Sequence, residues 1–268
     1  MKRLILICLA ASAAAWAAGK PASSPAPKAA PPAKAAPHVG VDWQGQVLIA
    51  TGSGAPDLRA TTPAQARLGA ETAAKLDAFR NLLAQAKGVQ LESGKTLGDA
   101  LGDDATRAHV QGALRGFKVT HKRYFSDNGV EIDVEVPLAG VLAALPAPSE
   151  AVAVNDQGEA TSTGLIVDAR GLKLTPALAP RLLGPDGKAV YSRAAVRDEK
   201  ATVAGYFATL AAAKASDRVG SHPLTVKATG VKGADLLLSA ADAKAIEAHN
   251  SAYLAAGKVA IVTEGVKR

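Results

Sequence analysis

Cysteine and aromatic residues are scarce in this chain of 268 residues. Cys8 is its single cysteine, which excludes a disulfide within the chain and a zinc site built from several thiolates. Aromatic residues make up only 4% of the chain, whereas single-strand nucleic-acid binders stack bases on aromatic platforms. The formal net charge of +7 therefore does not indicate a nucleic-acid partner. The positive charge favours binding to an anionic surface, or it contributes only to solubility.

The first 17 residues have the pattern of a secretory signal peptide. Lys2 and Arg3 give a positive start, residues 4–15 are an apolar run too short to span a bilayer, and residues 15–17 fit the small-x-small cleavage rule. Cleavage there removes Cys8, which is preceded by Ile7 where a lipid-attachment site needs a small residue. The sequence thus predicts a periplasmic protein with no lipid anchor and no thiol.

Residues 18–39 are predicted to be a disordered linker. Between positions 20 and 37 the chain holds six prolines, with alanines and three lysines around them. This composition favours an extended polyproline conformation, which rises about 3.1 Å per residue and here reaches roughly 50 Å. The segment is either a spacer that lets the folded part reach across cell-wall material or simply a disordered N-terminus.

The remaining chain is predicted to fold as two small α+β domains, residues 40–148 and 159–268. Prolines, Asn, Asp and Gly interrupt the periodic segments near residues 146–158 and mark the connection. Helical and strand patterns are mixed in both parts, without the regular alternation of a long parallel sheet. We expect each domain to be helices laid on a sheet.

A long helix is the clearest element of the first domain. Thr62 has the position of an N-cap, Pro63 suits the first turn, Gln65 completes a Thr-x-x-Gln capping box, and Gly88 ends the pattern. Spacing of three and four residues predicts one apolar stripe along this helix. Its members are Leu68, Thr72, Leu76, Phe79, Leu83 and Ala86.

Before this helix, residues 47–50 predict a buried strand that ends in a Gly52-Ser53-Gly54 loop. Helix starts attract anions, but the full phosphate-binding and dinucleotide-binding motifs are missing. The glycines are therefore predicted to form a tight loop and not a phosphate cradle.

A β-hairpin is predicted over residues 117–136, around the turn at 126–129. Glu131, Asp133 and Glu135 alternate with apolar residues and share one face. Simple pairing places Val119, His121, Arg123 and Phe125 on the apolar face, and Lys118, Thr120, Lys122 and Tyr124 opposite the acids. We expect a solvated ladder of ion pairs there and not a cation site.

In the second domain, Asp168 and Arg170 follow an apolar strand at residues 165–167. We interpret them as an ion pair that positions the next loop, and they are our structural or interaction candidates. The spacing of Val203, Tyr206, Phe207 and Leu210 predicts a helix face further along.

No catalytic, cofactor-binding or metal-binding residue is predicted. Ser53 lacks the Gly-x-Ser-x-Gly nucleophile spacing, and His121 is interpreted as a core or edge histidine. His222 and His249 do not have metal-ligand spacing. An enzyme is not expected.

Short motifs in both domains resemble bacterial envelope proteins, namely the LPP-twenty lipoproteins and the flagellar assembly protein FlgT. The second domain contributes residues 163–172, Pro176, Pro180, Asp186-Gly187 and Val190-Tyr191. Residues 50–54, 64–86, 88–89 and 130–136 are similar to the N-terminal domain of those proteins. The resemblance implies a non-enzymatic periplasmic module that attaches to other envelope components, in the flagellar case around the basal body. The lipobox cysteine of LPP-twenty proteins is missing here.

The function expected from the sequence is that of a periplasmic scaffold or assembly factor of the cell envelope. Its partners would be envelope proteins, including flagellar basal-body or outer-membrane components. The alternative is a binding module for peptidoglycan or another anionic envelope component. No cofactor is expected in either case.

Overall fold

The structure, a computed structural model, describes residues 39–148, 152–155, 157, 159, 161–198, 200–248, 251–264 and 266. The predicted signal peptide and all of the predicted linker except Val39 lie outside these residues, as do parts of the predicted connection between the two domains. Among the described residues, no helix is both long and apolar enough to cross a bilayer.

The first half of the chain is built on a four-stranded antiparallel sheet. Its elements in chain order are β1 (Gly40–Asp42), β2 (Val47–Gly54), α1 (Pro63–Gly88), β3 (Gln90–Glu92), β4 (Lys95–Thr96), α2 (Leu97–Ala100), α3 (Asp104–Arg115), β5 (Lys118–Tyr124), β6 (Val130–Pro137) and α4 (Leu138–Ala143). The sheet has the order β1-β2-β6-β5, and β3 pairs with β4 in a separate hairpin. α1 covers the face of the sheet on which the apolar residues of β2 and β6 lie.

The second half contains a seven-stranded mixed sheet. Its elements are β7 (Gly164–Asp168), β8 (Leu182–Leu183), β9 (Ala189–Tyr191), β10 (Gly205–Phe207), α5 (Leu210–Lys214), β11 (Pro223–Lys232), β12 (Asp235–Leu238), α6 (Ala240–Ala248), α7 (Ala252–Ala255) and β13 (Val259–Val262). The order is β10-β13-β7-β11-β12-β8-β9, with β7 paired in parallel to both β13 and β11. Both β7 and β13 are almost wholly buried, which suits their continuous apolar sequences.

The fold class is α+β, as the sequence predicts. One prediction within the second half is wrong. Tyr206 and Phe207 lie in strand β10, which pairs in parallel with β13, and not on a helix. The helix comes later, where Thr209 caps the first turn of α5 by accepting a hydrogen bond from the Ala212 amide at 3.1 Å.

Helix α1 begins where predicted. The Thr62 hydroxyl accepts a hydrogen bond from the Gln65 amide at 3.2 Å, and Pro63 occupies the first turn. The Gln65 side chain accepts from the Thr61 hydroxyl at 2.6 Å. The cap at Thr62 is therefore formed. In a complete capping box the Gln65 side chain would accept from the Thr62 amide, but here it accepts from the Thr61 hydroxyl.

The buried stripe of α1 differs from the predicted one. It consists of four alanines and one leucine spaced four positions apart, namely Ala70, Ala74, Ala78, Leu82 and Ala86, and the first three alanines face the glycines of β2. Leu68 and Leu76, assigned to the core from the sequence, are 67% and 56% exposed. The reason lies in the facing strand, where two glycines let the helix approach too closely for leucine.

Gly52 and Gly54 lie within β2, so the loop begins three residues later than expected. A Cβ on Gly52 would overlap the backbone of Ala74 and Ala78, and one on Gly54 would overlap the Ala70 carbonyl. Backbone atoms of α1 thus occupy the space that two side chains would fill. The Gly-Ser-Gly segment is a helix-packing site.

The hairpin of β5 and β6 forms as predicted, but its register is shifted along part of β5. Val119 pairs with Val134, whereas His121 pairs with Asp133, because a β-bulge at Thr120 adds one residue to β5. A shift of one residue exchanges the faces of every following side chain. His121 and Arg123 therefore join the acidic face, whereas Lys122 and Tyr124 join the α1 face. Lys118, before the bulge, pairs with Glu135 as predicted.

Candidate functional site

The outer face of the first sheet carries a buried carboxylate clamped by arginine. Arg123 donates to the two Asp133 carboxylate oxygens at 2.7 and 2.9 Å and to Glu131 at 2.6 Å. The Thr51 hydroxyl adds a fourth hydrogen bond, to Asp133 at 2.7 Å. Burial acts to raise the pKa of Asp133, but the hydrogen bonds from Arg123 and Thr51 outweigh it and the pKa is lowered. The acidic face thus forms ion pairs, as predicted, but Asp133 is buried instead of solvated and its cation is Arg123 instead of a lysine.

The opposite face of β5 contacts α1 through charges. The Lys122 ammonium donates to Glu71 at 2.6 Å, and Lys75, one turn along the helix, lies 2.9 Å from the same carboxylate. Hydrogen bonds from Lys122 and then Lys75 lower the pKa of Glu71 from 4.5 to about 2. Glu71 therefore stays ionised and ties the edge strand to the helix.

Asp168 and Arg170 form the ion pair that the sequence predicts. Arg170 donates from Nε and Nη2 to the two Asp168 oxygens at 2.9 and 2.6 Å, and its backbone amide donates to the same carboxylate at 3.1 Å. The side-chain hydrogen bond from Arg170 is the main reason that the pKa of Asp168 is lowered. The Arg170 side chain is 47% exposed, so the pair closes a surface turn after β7.

A polar network joins the two halves of the chain, which belong to one compact unit, Pro37–Arg268. Gln46, in the turn between β1 and β2, accepts a hydrogen bond from Arg218 at 2.7 Å and from the Thr202 hydroxyl at 2.8 Å. Its amide nitrogen donates to the Ala204 carbonyl at 2.8 Å. Arg218 also donates to the carbonyls of Thr202 and Gly257. Gln46 holds these contacts with a φ of 56°, which is unusual for a residue other than glycine.

Arg218 is a largely buried cation that forms no ion pair among the described residues. Burial lowers the pKa of its guanidinium, and the acceptors around it are uncharged. Arginine remains protonated in such surroundings. Its charge is therefore stabilised by carbonyl and amide oxygens drawn from both halves of the chain.

Aromatic packing and strand pairing strengthen the same junction. Trp43 packs edge-on against Tyr206 with ring centroids 5.5 Å apart. The buried Tyr206 hydroxyl both donates to the Ala177 carbonyl and accepts from its amide, at 2.9 Å each. Leu178 and Ala179 then donate backbone hydrogen bonds to Gln90 and Leu91 of β3 at 2.9 and 2.8 Å. The second half thus supplies two backbone donors to the carbonyls of β3.

A cavity of about 520 Å³ lies at this junction, and we call it the junction cleft. It is lined, among others, by Leu91, Lys95, Leu145, Pro148, Arg181 and Arg193. A second cavity of about 360 Å³ adjoins it and shares Leu145, Ala147, Pro148 and Arg193. Arg193 therefore stands between two cavities that flank the segment following α4.

Two arginines of the junction cleft are held by different means. Arg181 donates from Nε and Nη2 to Asp235 at 3.1 and 2.6 Å, and Asp235 is fully buried. Arg193 donates to the carbonyls of Leu142, Leu145 and Pro146 at 2.8, 2.9 and 2.9 Å, at the C-terminal end of α4. A cation is favourable at that end of a helix.

Four large side chains that belong to segments near one end of the first sheet are exposed, and we call them the apolar end. They are Leu58, Leu68, Tyr124 and Phe125, which are 94%, 67%, 50% and 49% exposed. The strand pair Gly54–Val130 closes this end of β2 and β6, next to the hairpin turn. Arg67 of α1 stacks 5.4 Å from the centre of the Tyr124 ring and donates to Asn128 at 3.2 Å. The start of α1 and the hairpin tip therefore lie side by side.

The other residues considered from the sequence do not come together. Ser53 lies on β2, where its backbone amide donates to Asp77 of α1 at 2.9 Å. The His222 amide donates to the Thr163 hydroxyl at 2.9 Å, and His249 lies outside the described residues. No group of three or more His, Cys, Asp or Glu that could hold a metal ion occurs in the described part of the chain.

Comparison with known proteins gives one partial similarity. A family model described as Treponema pallidum Tp0624, second domain, matches residues 164–265. The matched segment begins with β7 and runs past β13, so the similarity covers the seven-stranded sheet and leaves out the first half of the chain. No curated protein matches the chain. The resemblance to LPP-twenty and FlgT proteins stays a prediction from the sequence.

The junction residues were missed by the sequence reasoning, since no local pattern connects them. Gln46 and Arg218 are 172 positions apart, and Arg181 and Asp235 are 54 apart. Arg193 belongs to no recognisable motif, because its acceptors are backbone carbonyls, which any residue can provide. The Asp-Leu-Leu-Leu run of β12 was a usable signal, since an acid that begins a buried strand needs a cationic partner.

Proposed function

We propose that this protein is a non-enzymatic periplasmic scaffold or assembly factor of the bacterial cell envelope, and that it binds a partner protein through the apolar end. The observation that carries the proposal is the exposure of Leu58, Leu68, Tyr124 and Phe125 near one end of the first sheet, where Arg67 stacks on Tyr124. Contiguous exposed apolar side chains mark interaction sites, and tyrosine, phenylalanine and arginine are enriched in protein interfaces. The partners that the sequence suggests are envelope proteins, with flagellar basal-body and outer-membrane components first among them.

The charged groups support a structural role. Asp133, Asp168 and Glu71 each have a lowered pKa, and each is held by arginine or lysine within the fold. A reacting carboxylate works best with a pKa near the working pH, which is the opposite direction. These clusters are built to hold strands, loops and helices together.

Photo-crosslinking in living cells tests the proposal. A C-terminally tagged full-length chain carries benzoylphenylalanine at Phe125, and a matched chain carries it at Lys188, whose side chain is 87% exposed in a turn of the second half. After irradiation the envelope is fractionated and the adducts are identified by mass spectrometry. We expect an envelope protein attached at position 125 and absent at position 188. Equal adducts at both positions, or none at 125, would contradict the apolar end as the interface. Recovery of the chain in the cytoplasm alone would contradict the periplasmic location.

A second function, a periplasmic module for peptidoglycan or another anionic envelope component, is favoured by the junction cleft. Lys95, Arg181 and Arg193 line it together with apolar residues. Ligand sites are commonly apolar cavities of this size at the meeting of two structural units, with a few fixed polar groups.

A further inference from the structure

The junction cleft has the dimensions of a small-molecule site. At about 520 Å³ it falls within the range of roughly 300–1,000 Å³ that is typical of ligand pockets. Leu91, Leu145, Pro146 and Pro148 give it apolar walls, and the fixed segment after α4 separates it from the adjoining cavity. A ligand here would meet both halves of the chain.

Arg193 has donors left for a ligand. A guanidinium carries five N–H groups, and three of those of Arg193 are used by the carbonyls of Leu142, Leu145 and Pro146. The Nε–H and one Nη1–H have no acceptor among the described residues. Arg193 is half-buried, and within the described chain it forms no ion pair. Its positive charge is therefore oriented and only partly balanced, with Glu92 acting on it at longer range.

Arg181 places a second guanidinium on the wall of the same cleft, with its charge balanced by Asp235. Its bidentate pairing with the fully buried Asp235 fixes the plane of the guanidinium, and its side chain remains 35% exposed. Planar guanidinium groups recognise carboxylates through paired N–H donors. Holding such a group in place beforehand reduces the entropy that a ligand loses on binding.

The acidic residues of the cleft restrict the kind of ligand that can bind. Asp99 is engaged by Thr96, whose amide and hydroxyl donate to it at 2.7 and 2.8 Å. Glu92 also lines the cleft, and its negative charge disfavours polyanions such as phosphates. A single carboxylate placed beside a small apolar group suits Arg193 and the apolar wall.

We propose that the junction cleft binds a small ligand with one carboxylate next to an apolar group, either the C-terminus of a short peptide or a sugar acid. The carboxylate accepts a hydrogen bond from one of the two remaining donors of Arg193, and the apolar part lies against Leu145 and Pro148. This inference rests on the second function proposed above and is independent of the apolar end.

Ligand titrations of the purified full-length chain, monitored by NMR or calorimetry, test this proposal. The probes are N-acetyl-Ala-Ala, the same dipeptide with a C-terminal amide, glucuronic acid and acetate. We expect the dipeptide acid or the sugar acid to bind at least tenfold more tightly than the amide and acetate, and the tighter of the two identifies the source of the carboxylate. Equal binding of acid and amide, equal binding of acetate, or no binding by any probe up to 10 mM would overturn the proposal.

Two variants locate the site. Arg193→Gln removes the charge, but it also releases three carbonyls and can weaken the junction. Ala147→Trp fills space shared by the two cavities from an exposed position, and Ala211→Trp is its control on the exposed side of α5. We expect Ala147→Trp to weaken binding at least tenfold with an unchanged melting temperature, and Ala211→Trp to bind as wild type. Wild-type binding by Ala147→Trp would overturn the proposal, whatever partner is crosslinked at the apolar end.

Discussion

A methyl group on Gly52 would lie 2.7 Å from the Cα of Ala78, because α1 rests directly on the backbone of β2. The same helix forms hydrogen bonds with backbone groups of β2 that lie beyond its pairing with β1. Asn81 donates to the Thr51 carbonyl at 2.8 Å, and Asp77 accepts from the Ser53 amide at 2.9 Å. Helix and strand thus contact each other through backbone atoms and short side chains, and the packing tolerates very little added volume.

Gly52→Ala should therefore be severely destabilising. The new methyl group has to displace the helix backbone, and we expect a loss of about 3 kcal/mol or more in the free energy of unfolding, at the upper end for overpacked sites. Gly112→Ala is the control, since Gly112 lies in α3 with nothing within 4 Å of its Cβ position. That change should stabilise the protein by about 0.5–1 kcal/mol. Urea unfolding of both variants checks the pair, and a mild effect at Gly52 would contradict the close approach.

Gln46→Gly tests whether the side-chain hydrogen bonds of Gln46 outweigh its backbone strain at the junction. Glycine accepts the positive φ without cost, but the variant loses the contacts with Thr202, Ala204 and Arg218. We expect a net loss of about 1–3 kcal/mol in the free energy of unfolding. Asn128→Gly is the matched control, at the other described non-glycine position with a positive φ, and should change stability by less than about 0.5 kcal/mol. Equal stability changes in the two variants would show that Gln46 does not hold the halves together.

Glu71 gives a pH-dependent prediction. Its pKa is lowered from 4.5 to about 2 in the folded protein, so its contribution to stability is complete above about pH 4.5 and is lost as the pH falls to about 2. We expect Glu71→Gln to lower the free energy of unfolding by about 0.5–1 kcal/mol at pH 7, as for a surface ion pair. The difference from wild type should shrink below pH 4.5. Denaturant titrations at pH 7, 4 and 3 measure it, and a difference that stays constant over this range would contradict the prediction.

Asp168→Ala should have a larger effect than Arg170→Ala. Asp168→Ala removes the acceptor of both the Arg170 side chain and the Arg170 backbone amide, whereas Arg170→Ala removes only the side-chain bonds of a half-exposed residue and keeps the amide bond to Asp168. We expect a loss of about 1–2 kcal/mol for Asp168→Ala and less than half of that for Arg170→Ala. Thermal unfolding compares the two. An unchanged melting temperature in Asp168→Ala would rule out a structural role for the pair.

Local features of the fold could be predicted because they depend on neighbouring residues. The start of α1 follows from Thr62 and Pro63, and the turn of the hairpin follows from Asn128-Gly129. The Asp168–Arg170 pair spans only two positions. Each of these features is decided within a few residues of sequence.

Features that depend on distant residues were misjudged. The leucines of α1 fit an apolar stripe and were predicted to be buried. The two glycines of β2 instead admit the alanines of α1. A four-residue repeat of alanines, together with a Gly-x-Gly strand, was the available signal. The bulge at Thr120 left no such signal, so Arg123 and Lys122 were assigned to the wrong faces. The arginines of the junction cleft find their partners only when the two halves meet.

The pairing of Leu178 and Ala179 with β3 has a consequence for the order in which the chain matures. The β3–β4 hairpin is synthesised nearly ninety residues before the segment that covers its open edge. Until that segment emerges, the hairpin presents unsatisfied backbone groups that can pair with any other extended chain. An incomplete chain can therefore associate with another chain at the two carbonyls of β3 that Leu178 and Ala179 later occupy.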